Sequence, residues 1–180
     1  MALILNIETA TTVCSVSLGK DGKLLAIKEQ NGGYSHSENL TLFIEDVLQQ
    51  TGNKISEIDA IAVSKGPGSY TGLRIGVSTA KGLCYALGKP LLAINTLLSI
   101  TQSIVQNSKF KVESADLFCP MLDARRMEVY CAIYDLQGNE MRATAAEIID
   151  ENSFSDILKT KKIVFFGDGS AKCKETFSKN

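Results

Sequence analysis

Hydrophobic residues recur along this chain with two different periods, which together predict a mixed α/β protein. Runs that are apolar at every residue or every second residue predict β-strands, whereas apolar residues spaced by three and four predict helices. In the first half the predicted strands are 3–8, 14–18, 24–29, 58–63 and 91–94, and the predicted helices lie within 36–50, 73–87 and 96–107.

The second half of the chain repeats the order of the first. Its predicted elements are strands at 117–122, 128–134 and 163–166, a short helix at 153–159, and a helix after Gly169. Strand-turn-strand openings followed by helix, strand and helix are typical of the actin/Hsp70/sugar-kinase fold, an α/β fold of two duplicated βββαβα lobes. We therefore predict an N-terminal lobe, 1–108, and a C-terminal lobe, 109–180, joined through the polar stretch 108–114.

A glycine-rich loop, residues 65–76, separates the strand at 58–63 from the helix that follows it. Free N–H groups at a helix N-terminus favour an anion, so the loop is a candidate nucleotide or anion site. The candidate contacts in it are Gly66, Gly68, Ser69, Thr71 and Arg74. The spacing matches neither the dinucleotide-binding fingerprint nor a P-loop, and a sharp turn with positive-φ glycines is an equally good interpretation.

A hydroxyl-rich turn follows the first predicted strand and is a second candidate for the same site. It contributes Glu8, Thr9 and Thr11. An acid and hydroxyls at this place suit nucleotide phosphates with a metal. The alternative, which we favour on sequence alone, is a turn whose threonines bond nearby backbone groups.

The corresponding turn of the second half contains Asp123 and Arg125, and Gly167-Asp168-Gly169 follows its last strand. An arginine in the cleft between two lobes would meet a phosphate or a carboxylate. The alternative is an Asp–Arg turn that only closes a hairpin.

His36 is the only histidine of the chain, and it bears on metal binding. One imidazole without a second histidine or a carboxylate cluster is poor ligation for zinc or iron. We therefore predict no metal site, and a histidine in the first turn of a surface helix whose capping box is Ser35 with Glu38.

Composition and charge narrow the class of protein further. A formal net charge of −1 argues against strong stand-alone RNA binding, which needs a concentrated basic surface. Five cysteines without a repeated spacing fit small buried thiols in a reducing compartment. The chain shows neither a secretory signal nor an apolar run of membrane-spanning length. We expect a cytoplasmic protein without membrane association.

The two helices on either side of the glycine-rich loop are candidates for a partner surface. The second of them is apolar on more than one side, which predicts burial on more than one side. The candidate partner contacts are Leu40, Phe43, Ile44, Val47, Val77, Ala80, Leu83 and Cys84. Burial of the same residues inside one monomer is an equally good interpretation, because helices of α/β domains look alike in sequence.

Several blocks of this sequence resemble the TsaB family, also called YeaZ. The blocks are GPGSYTGLRIG at 66–76, ILNIETAT at 4–11, DAR at 123–125 and GDG at 167–169. They occur in the order of the family and span nearly the whole chain. The family has the actin-like fold, and its members typically continue further, so the resemblance implies an incomplete second lobe.

The resemblance also implies a role inside a complex. TsaB is a non-catalytic subunit that forms dimers. Together with a TsaD-like paralogue and a TsaE-like ATPase, it activates the formation of threonylcarbamoyladenosine next to the tRNA anticodon. It implies association through the two helices, a homodimer in isolation, and contact with tRNA only through the complex. No cofactor is then expected to bind stably, and ATP or ADP is expected only with partner subunits.

Two catalytic functions stay open as alternatives. An ATP-dependent small-molecule kinase or ATPase of the same fold would need a catalytic acid, for which Glu8, Asp123 and Asp168 are the candidates. A glycoprotease-like peptidase would need more than His36, because no catalytic triad is apparent around it.

Overall fold

The computed structural model describes residues 2–32, 36–107 and 115–177. The chain divides into two compact units, Met1–Asn95 and Thr96–Asn180, and each has its own sheet.

The first unit is a five-stranded sheet with helices α1 and α2 against it. Its elements are β1 (Leu3–Glu8), β2 (Val13–Lys20), β3 (Lys23–Asn31), α1 (His36–Thr51), β4 (Ala60–Ser64), α2 (Tyr70–Leu87) and β5 (Leu91–Ile94). The sheet order is β3-β2-β1-β4-β5. The first three strands are antiparallel, and β4 and β5 run parallel to β1.

Alternation of apolar residues places the core of this unit on the face of the sheet that carries α1 and α2. Leu5 and Val16 on neighbouring strands are fully buried, and every residue of β4 is buried. Helix α1 lays its apolar stripe on the same core and leaves Leu42 exposed, which confirms the predicted helical face.

The predicted partner contacts belong to this core. Leu40, Phe43, Ile44, Val47 and Ala80 are 0–6% exposed, and Val77, Leu83 and Cys84 are half-buried against the same cluster. This corrects the assignment of the five buried residues to a partner surface, because side chains packed into their own core are not available to another chain. A partner contact of Val77, Leu83 and Cys84, which keep exposed surface, stays a prediction.

The second unit is a four-stranded sheet with three helices. Its elements are α3 (Thr96–Gln106), β6 (Leu117–Asp123), β7 (Glu128–Tyr134), β8 (Glu140–Ile148), α4 (Ser155–Leu158), β9 (Ile163–Phe166) and α5 (Ser170–Phe177). The sheet order among the described residues is β8-β7-β6-β9, with β9 parallel to β6. Its main core contains Met121, Cys131 and Ile133, and α3 contributes Leu97 to a smaller cluster with Tyr134.

The duplicated fold is confirmed: both units run through three antiparallel strands, a helix, a parallel strand and a second helix. The boundary between the two units along the chain falls between Asn95 and Thr96, not at residue 108, because α3 packs on β6 and β7 of the second unit. The predicted connection at 108–114 and the cap at Ser35 lie outside the described residues.

Four of the five cysteines are buried, all five are free thiols, and no described helix is long and apolar enough to cross a membrane.

Candidate functional site

The glycine-rich loop leads directly into α2. The Ser69 hydroxyl accepts a hydrogen bond from Gly72 N at 3.3 Å, and Leu73 N donates to Ser69 O at 2.8 Å, so Ser69 caps the helix. Before it, Gly66 and Gly68 have φ values of 105° and 153°, which favour glycine. Residues 65–69 therefore form the strand-to-helix turn that the glycines predict, and residues 70–76 of the predicted loop are the first turns of α2.

Three glycines let this turn and α2 rest directly on the backbone after β1. A Cβ atom added at Gly68 would lie 2.3 Å from Ala10 O, and one at Gly72 would lie 2.1 Å from Thr9 O. One added at Gly76, a helical turn further, would lie 2.2 Å from Thr9 Oγ1. No side chain fits at these positions without moving the turn or the helix.

Hydrogen bonds fasten the same contact. The buried Thr9 hydroxyl donates to Gly72 O at 2.8 Å, and Ser69 N donates to Ala10 O at 2.6 Å. The hydroxyl of Thr9 and the carbonyl of Ala10 thus bond α2 and the loop, and neither is turned toward solvent.

The remaining polar groups of this turn are also engaged inside the unit. One carboxylate oxygen of Glu8 accepts from Ala10 N at 2.6 Å, and the other accepts from the Ser64 hydroxyl. The Thr11 hydroxyl accepts from Val13 N at 3.2 Å. The geometry matches the interpretation in which these groups bond nearby backbone and side chains.

His36 is the first residue of α1 and is 9% exposed, which corrects its predicted place on the surface. Its Nε2 atom lies 3.0 Å from Thr11 O. Since a carbonyl only accepts, Nε2 carries the proton in this contact. A Cβ added at Gly72 would lie 3.3 Å from His36 Cδ2, so the imidazole lies between the β1–β2 turn and the start of α2.

Three residues at the start of α2 do project to solvent. Tyr70 is 75% exposed, and Thr71 and Arg74 are exposed as well. The guanidinium of Arg74 lies 5.6 Å from the centre of the Tyr70 ring, a cation–π contact on the surface. Of the candidate anion contacts in the first unit, Thr71 and Arg74 remain available to a ligand.

The second unit builds the same junction after β6. A Cβ at Gly167 would lie 2.3 Å from Met121 O, and one at Gly169 would lie 2.9 Å from the carbonyl carbon of Leu122. Gly169 N donates to Met121 O at 3.0 Å. Gly167 and Gly169 therefore let the start of α5 rest on β6, as Gly68 and Gly72 do for α2.

Asp123 is the last residue of β6, and its carboxylate forms an ion pair with Lys172. Lys172 Nζ lies 2.5 Å from Asp123 Oδ1, and this ammonium, helped by the Arg125 N–H at 2.9 Å, lowers the pKa of the Asp123 carboxyl. Asp168 reaches back to accept from Asp123 N at 3.1 Å.

The structure thus sorts the predicted site residues into two clusters, one in each unit. The first cluster contains Glu8, Thr9, Thr11, Gly66, Gly68, Ser69, Thr71 and Arg74, and the second contains Asp123, Arg125, Gly167, Asp168 and Gly169. Sequence reasoning did not assign a role to Ser64 or Lys172. The Gly72–Gly76 spacing of one helical turn is the signal that marks a close helix contact. Within the described ranges, no group of three or more His, Cys, Asp or Glu residues is placed to hold a metal ion.

The outward face of α2 has a different character. Tyr85 is 93% exposed, and Ser78, Lys81, Gly82 and Ala86 around it are exposed too. A Cβ added at Gly82 would meet no atom within 4 Å. Nothing in the described part of the chain therefore requires a glycine there.

Comparison with known proteins identifies the class of domain that this chain contains. Residues 27–179 match the family model described as "TsaD: tRNA N6-adenosine threonylcarbamoyltransferase". The chain thus carries a TsaD-type domain.

Individual relatives define the family within that class. The chain is 35% identical over 136 residues to the tRNA threonylcarbamoyladenosine biosynthesis protein TsaB of Escherichia coli K12, a match that covers 76% of this chain and 56% of the relative. A solved structure, YeaZ from Pseudomonas aeruginosa, superposes with a TM-score of 0.71 at 31% identity and covers 83% of this chain and 69% of that chain. This chain belongs to the TsaB (YeaZ) family. It spans little more than half the length of the Escherichia coli relative.

Proposed function

We propose that this chain is a non-catalytic subunit that activates the formation of threonylcarbamoyladenosine in tRNA. Its partners in this proposal are a TsaD-type protein and a TsaE-type ATPase in the cytoplasm, and tRNA is contacted through the complex. Membership in the TsaB family and the name of the Escherichia coli relative support this role.

A contrast between glycines of α2 carries the proposal. Gly72 and Gly76 lie so close to Thr9 that no larger residue fits there. Gly82, by contrast, faces open space in the middle of the helix. A glycine there costs about 1 kcal/mol of helix stability relative to alanine. No contact among the described residues of the monomer offsets this cost in helix stability. Close approach of another chain at Gly82 would offset it.

The surface around Gly82 suits such a contact. Tyr85 is almost fully exposed one turn along the same face, and exposed tyrosines are enriched among the residues that dominate protein interfaces. We therefore assign partner binding to the outward face of α2, Ser78, Lys81, Gly82, Tyr85 and Ala86, in place of the buried residues predicted from sequence. A TsaD-type protein binds this face in the complex, and a second copy binds it in the isolated homodimer.

The first cluster supports a non-catalytic role. Both carboxylate oxygens of Glu8 and the hydroxyl of Thr9 are engaged by neighbours, which leaves this turn few groups for nucleotide phosphates. Thr71 and Arg74 stay exposed beside it. In this proposal ATP or ADP is held only when a partner subunit completes the site.

A reconstituted modification reaction tests the proposal. TsaD-type and TsaE-type proteins with ATP, an activated threonylcarbamoyl donor and unmodified tRNA should form little threonylcarbamoyladenosine until this chain is added. The Gly82→Leu variant should fold at least as stably as the wild type, because the position is open, yet fail to restore the reaction because leucine blocks close approach. Gly82→Ala is the matched control and should keep most activity. Full restoration by Gly82→Leu, or modification by this chain alone, would contradict the proposal.

Binding of nucleotide to the isolated chain separates this proposal from the kinase alternative. Isothermal titration with ATP and ADP should show no micromolar binding without a partner. Micromolar affinity, with steady hydrolysis abolished by Asp123→Ala, would favour a kinase or ATPase instead.

A further inference from the structure

The connection between β6 and β7 holds two consecutive arginines in an unfavourable backbone conformation. Arg125 has φ of 79° and Arg126 has φ of 46°. The left-handed region favours glycine and asparagine, and a side chain such as arginine is disfavoured there. Such residues persist only where the surrounding structure imposes the conformation, and they concentrate at functional sites.

Hydrogen bonds at Ala124, Arg125 and Glu128 hold the backbone of this connection. Ala124 N donates to Glu128 O at 3.1 Å, Glu128 N donates to Arg125 O at 3.0 Å, and Arg125 N donates to Asp123 Oδ1 at 2.9 Å. Lys172 Nζ adds a bond to Glu128 O at 2.7 Å. The connection is therefore a rigid platform.

The guanidinium groups of Arg125 and Arg126 take no part in the hydrogen bonds that hold this connection. Arg125 and Arg126 are both exposed, and neither side chain forms a hydrogen bond, ion pair or ring contact with any residue that the structure describes. Asp123, the nearest acid in sequence, is already paired with Lys172 and with Arg125 N. The left-handed turn thus serves the backbone hydrogen bonds of the connection, and the two side chains add no contact to it within the described chain.

We propose that Arg125 and Arg126 form a contact for the phosphate backbone of tRNA, an inference that rests on the proposed function. Planar guanidinium forks match phosphate oxygens in two-point hydrogen bonds, and each preorganised fork loses less side-chain entropy per hydrogen bond than a lysine ammonium does. A net charge of −1 argues against a broad basic surface, so in this proposal the chain contributes to RNA binding through local groups of this kind.

The double variant Arg125→Gly/Arg126→Gly tests this inference through two readouts of opposite sign. In the complex with a TsaD-type protein, fluorescence anisotropy with a labelled unmodified tRNA should show affinity reduced about tenfold at ~0.1 M salt. The slope of log affinity against log salt should fall by about one for each lost phosphate contact. The melting temperature of the chain should rise by about 2–4 °C, because glycine relieves the strain.

Two controls separate charge from geometry. Lys20→Ala/Lys23→Ala removes the same charge from the exposed β2–β3 hairpin and should leave tRNA affinity within about twofold. Arg125→Lys/Arg126→Lys keeps the charge without the fork, so it should retain the salt slope and lose part of the affinity.

Four outcomes would overturn the inference. Equal tRNA affinity of wild type and glycine variant would do so while leaving the proposed function intact. A lower melting temperature of the glycine variant would make the arginines structural. Loss of association with the TsaD-type protein at unchanged tRNA affinity would assign them to an acidic protein surface. Absence of tRNA binding by the wild-type complex would contradict the proposed function as well.

Discussion

The β1–β2 turn of the first unit and the β6–β7 turn of the second unit share one architecture but use their polar groups differently. In both, a glycine loop after a parallel strand rests on backbone at the end of the first strand: on Thr9 and Ala10 just after β1, and on Met121 and Leu122 within β6. In the first turn the acid Glu8 bonds the uncharged Ser64 and Ala10 N, whereas in the second Asp123 bonds the ammonium of Lys172.

This difference shows how a duplicated fold can keep a junction and change its role. In the first junction the buried Thr9 hydroxyl and the Ala10 carbonyl bond α2 and the glycine-rich loop, and the Glu8 carboxylate accepts from Ser64 and Ala10 N. The second junction is held by one ion pair and leaves Arg125 and Arg126 facing solvent. The first unit thus fixes the helix whose outer face we assign to a partner, and the second presents charged groups.

Gly72→Ala should give the largest effect on the first junction. The added Cβ would overlap Thr9 O at 2.1 Å, and the free energy of unfolding should fall by about 3 kcal/mol. Gly82→Ala in the same helix is the matched control and should raise it by about 0.5–1 kcal/mol. Urea denaturation followed by circular dichroism measures both. Similar effects of the two substitutions would mean that α2 does not rest on the turn.

Gly167→Ala makes the corresponding test in the second unit. Its φ of 97° and a Cβ position 2.3 Å from Met121 O predict a loss of about 2–3 kcal/mol in unfolding free energy. Gly22→Ala has a similar φ of 76° but open space around it, so it should lose only about 1 kcal/mol. Equal losses in thermal or urea unfolding would show that strain alone matters, and the likeness of the two junctions would fail.

Thr9→Val should have an intermediate effect. It removes a buried hydroxyl that donates to Gly72 O, and the expected loss in unfolding free energy is about 1–2 kcal/mol. Thr12→Val removes an exposed hydroxyl bonded to Asn31 and should change stability by less than about 0.5 kcal/mol. Hydrogen exchange at the α2 amides provides the local measurement. Unchanged protection in Thr9→Val would contradict the proposed fastening of the helix.

Lys172→Met should give the smallest effect, and one that depends on pH. The partner ammonium lowers the pKa of Asp123 in the folded state, so the pair stabilises the fold above the ordinary pKa of about 4. That stability is lost as the pH falls through the lowered folded pKa. Because the pair is partly exposed, the variant should lose about 0.5–1 kcal/mol at pH 7. The difference between the urea midpoints of wild type and variant should narrow at acid pH, below the lowered pKa of Asp123, to the part that comes from the lost Lys172–Glu128 O hydrogen bond. A difference that does not change with pH would contradict the ion-pair account.

Local patterns in the sequence predicted eight of the nine described strands and the duplicated order, but not β8. The alternation in β2 and the continuous apolar run in β9 specify strands, and the structure confirms both. The apolar face of α3 did not reveal that it packs on the second sheet, because a helical stripe specifies burial but not the element it covers.

The candidate site was harder to predict because apolar residues serve cores and interfaces alike. Leu40 and Val47 fit a partner surface in sequence, yet both lie in the core of the first unit. The informative residue was Gly82, whose open surroundings are visible only once the helix has been placed. Lys172 was missed since its partner, Asp123, is 49 residues away in the chain.

Light scattering of the chain, alone and mixed with a TsaD-type protein, tests the central claim most directly. The account predicts a homodimer that rearranges into a mixed complex, and it predicts that Gly82→Leu and Tyr85→Ala abolish or strongly weaken both associations without loss of folded structure. A wild-type chain that stays monomeric and ignores the TsaD-type protein, or variants that associate as the wild type does, would contradict it.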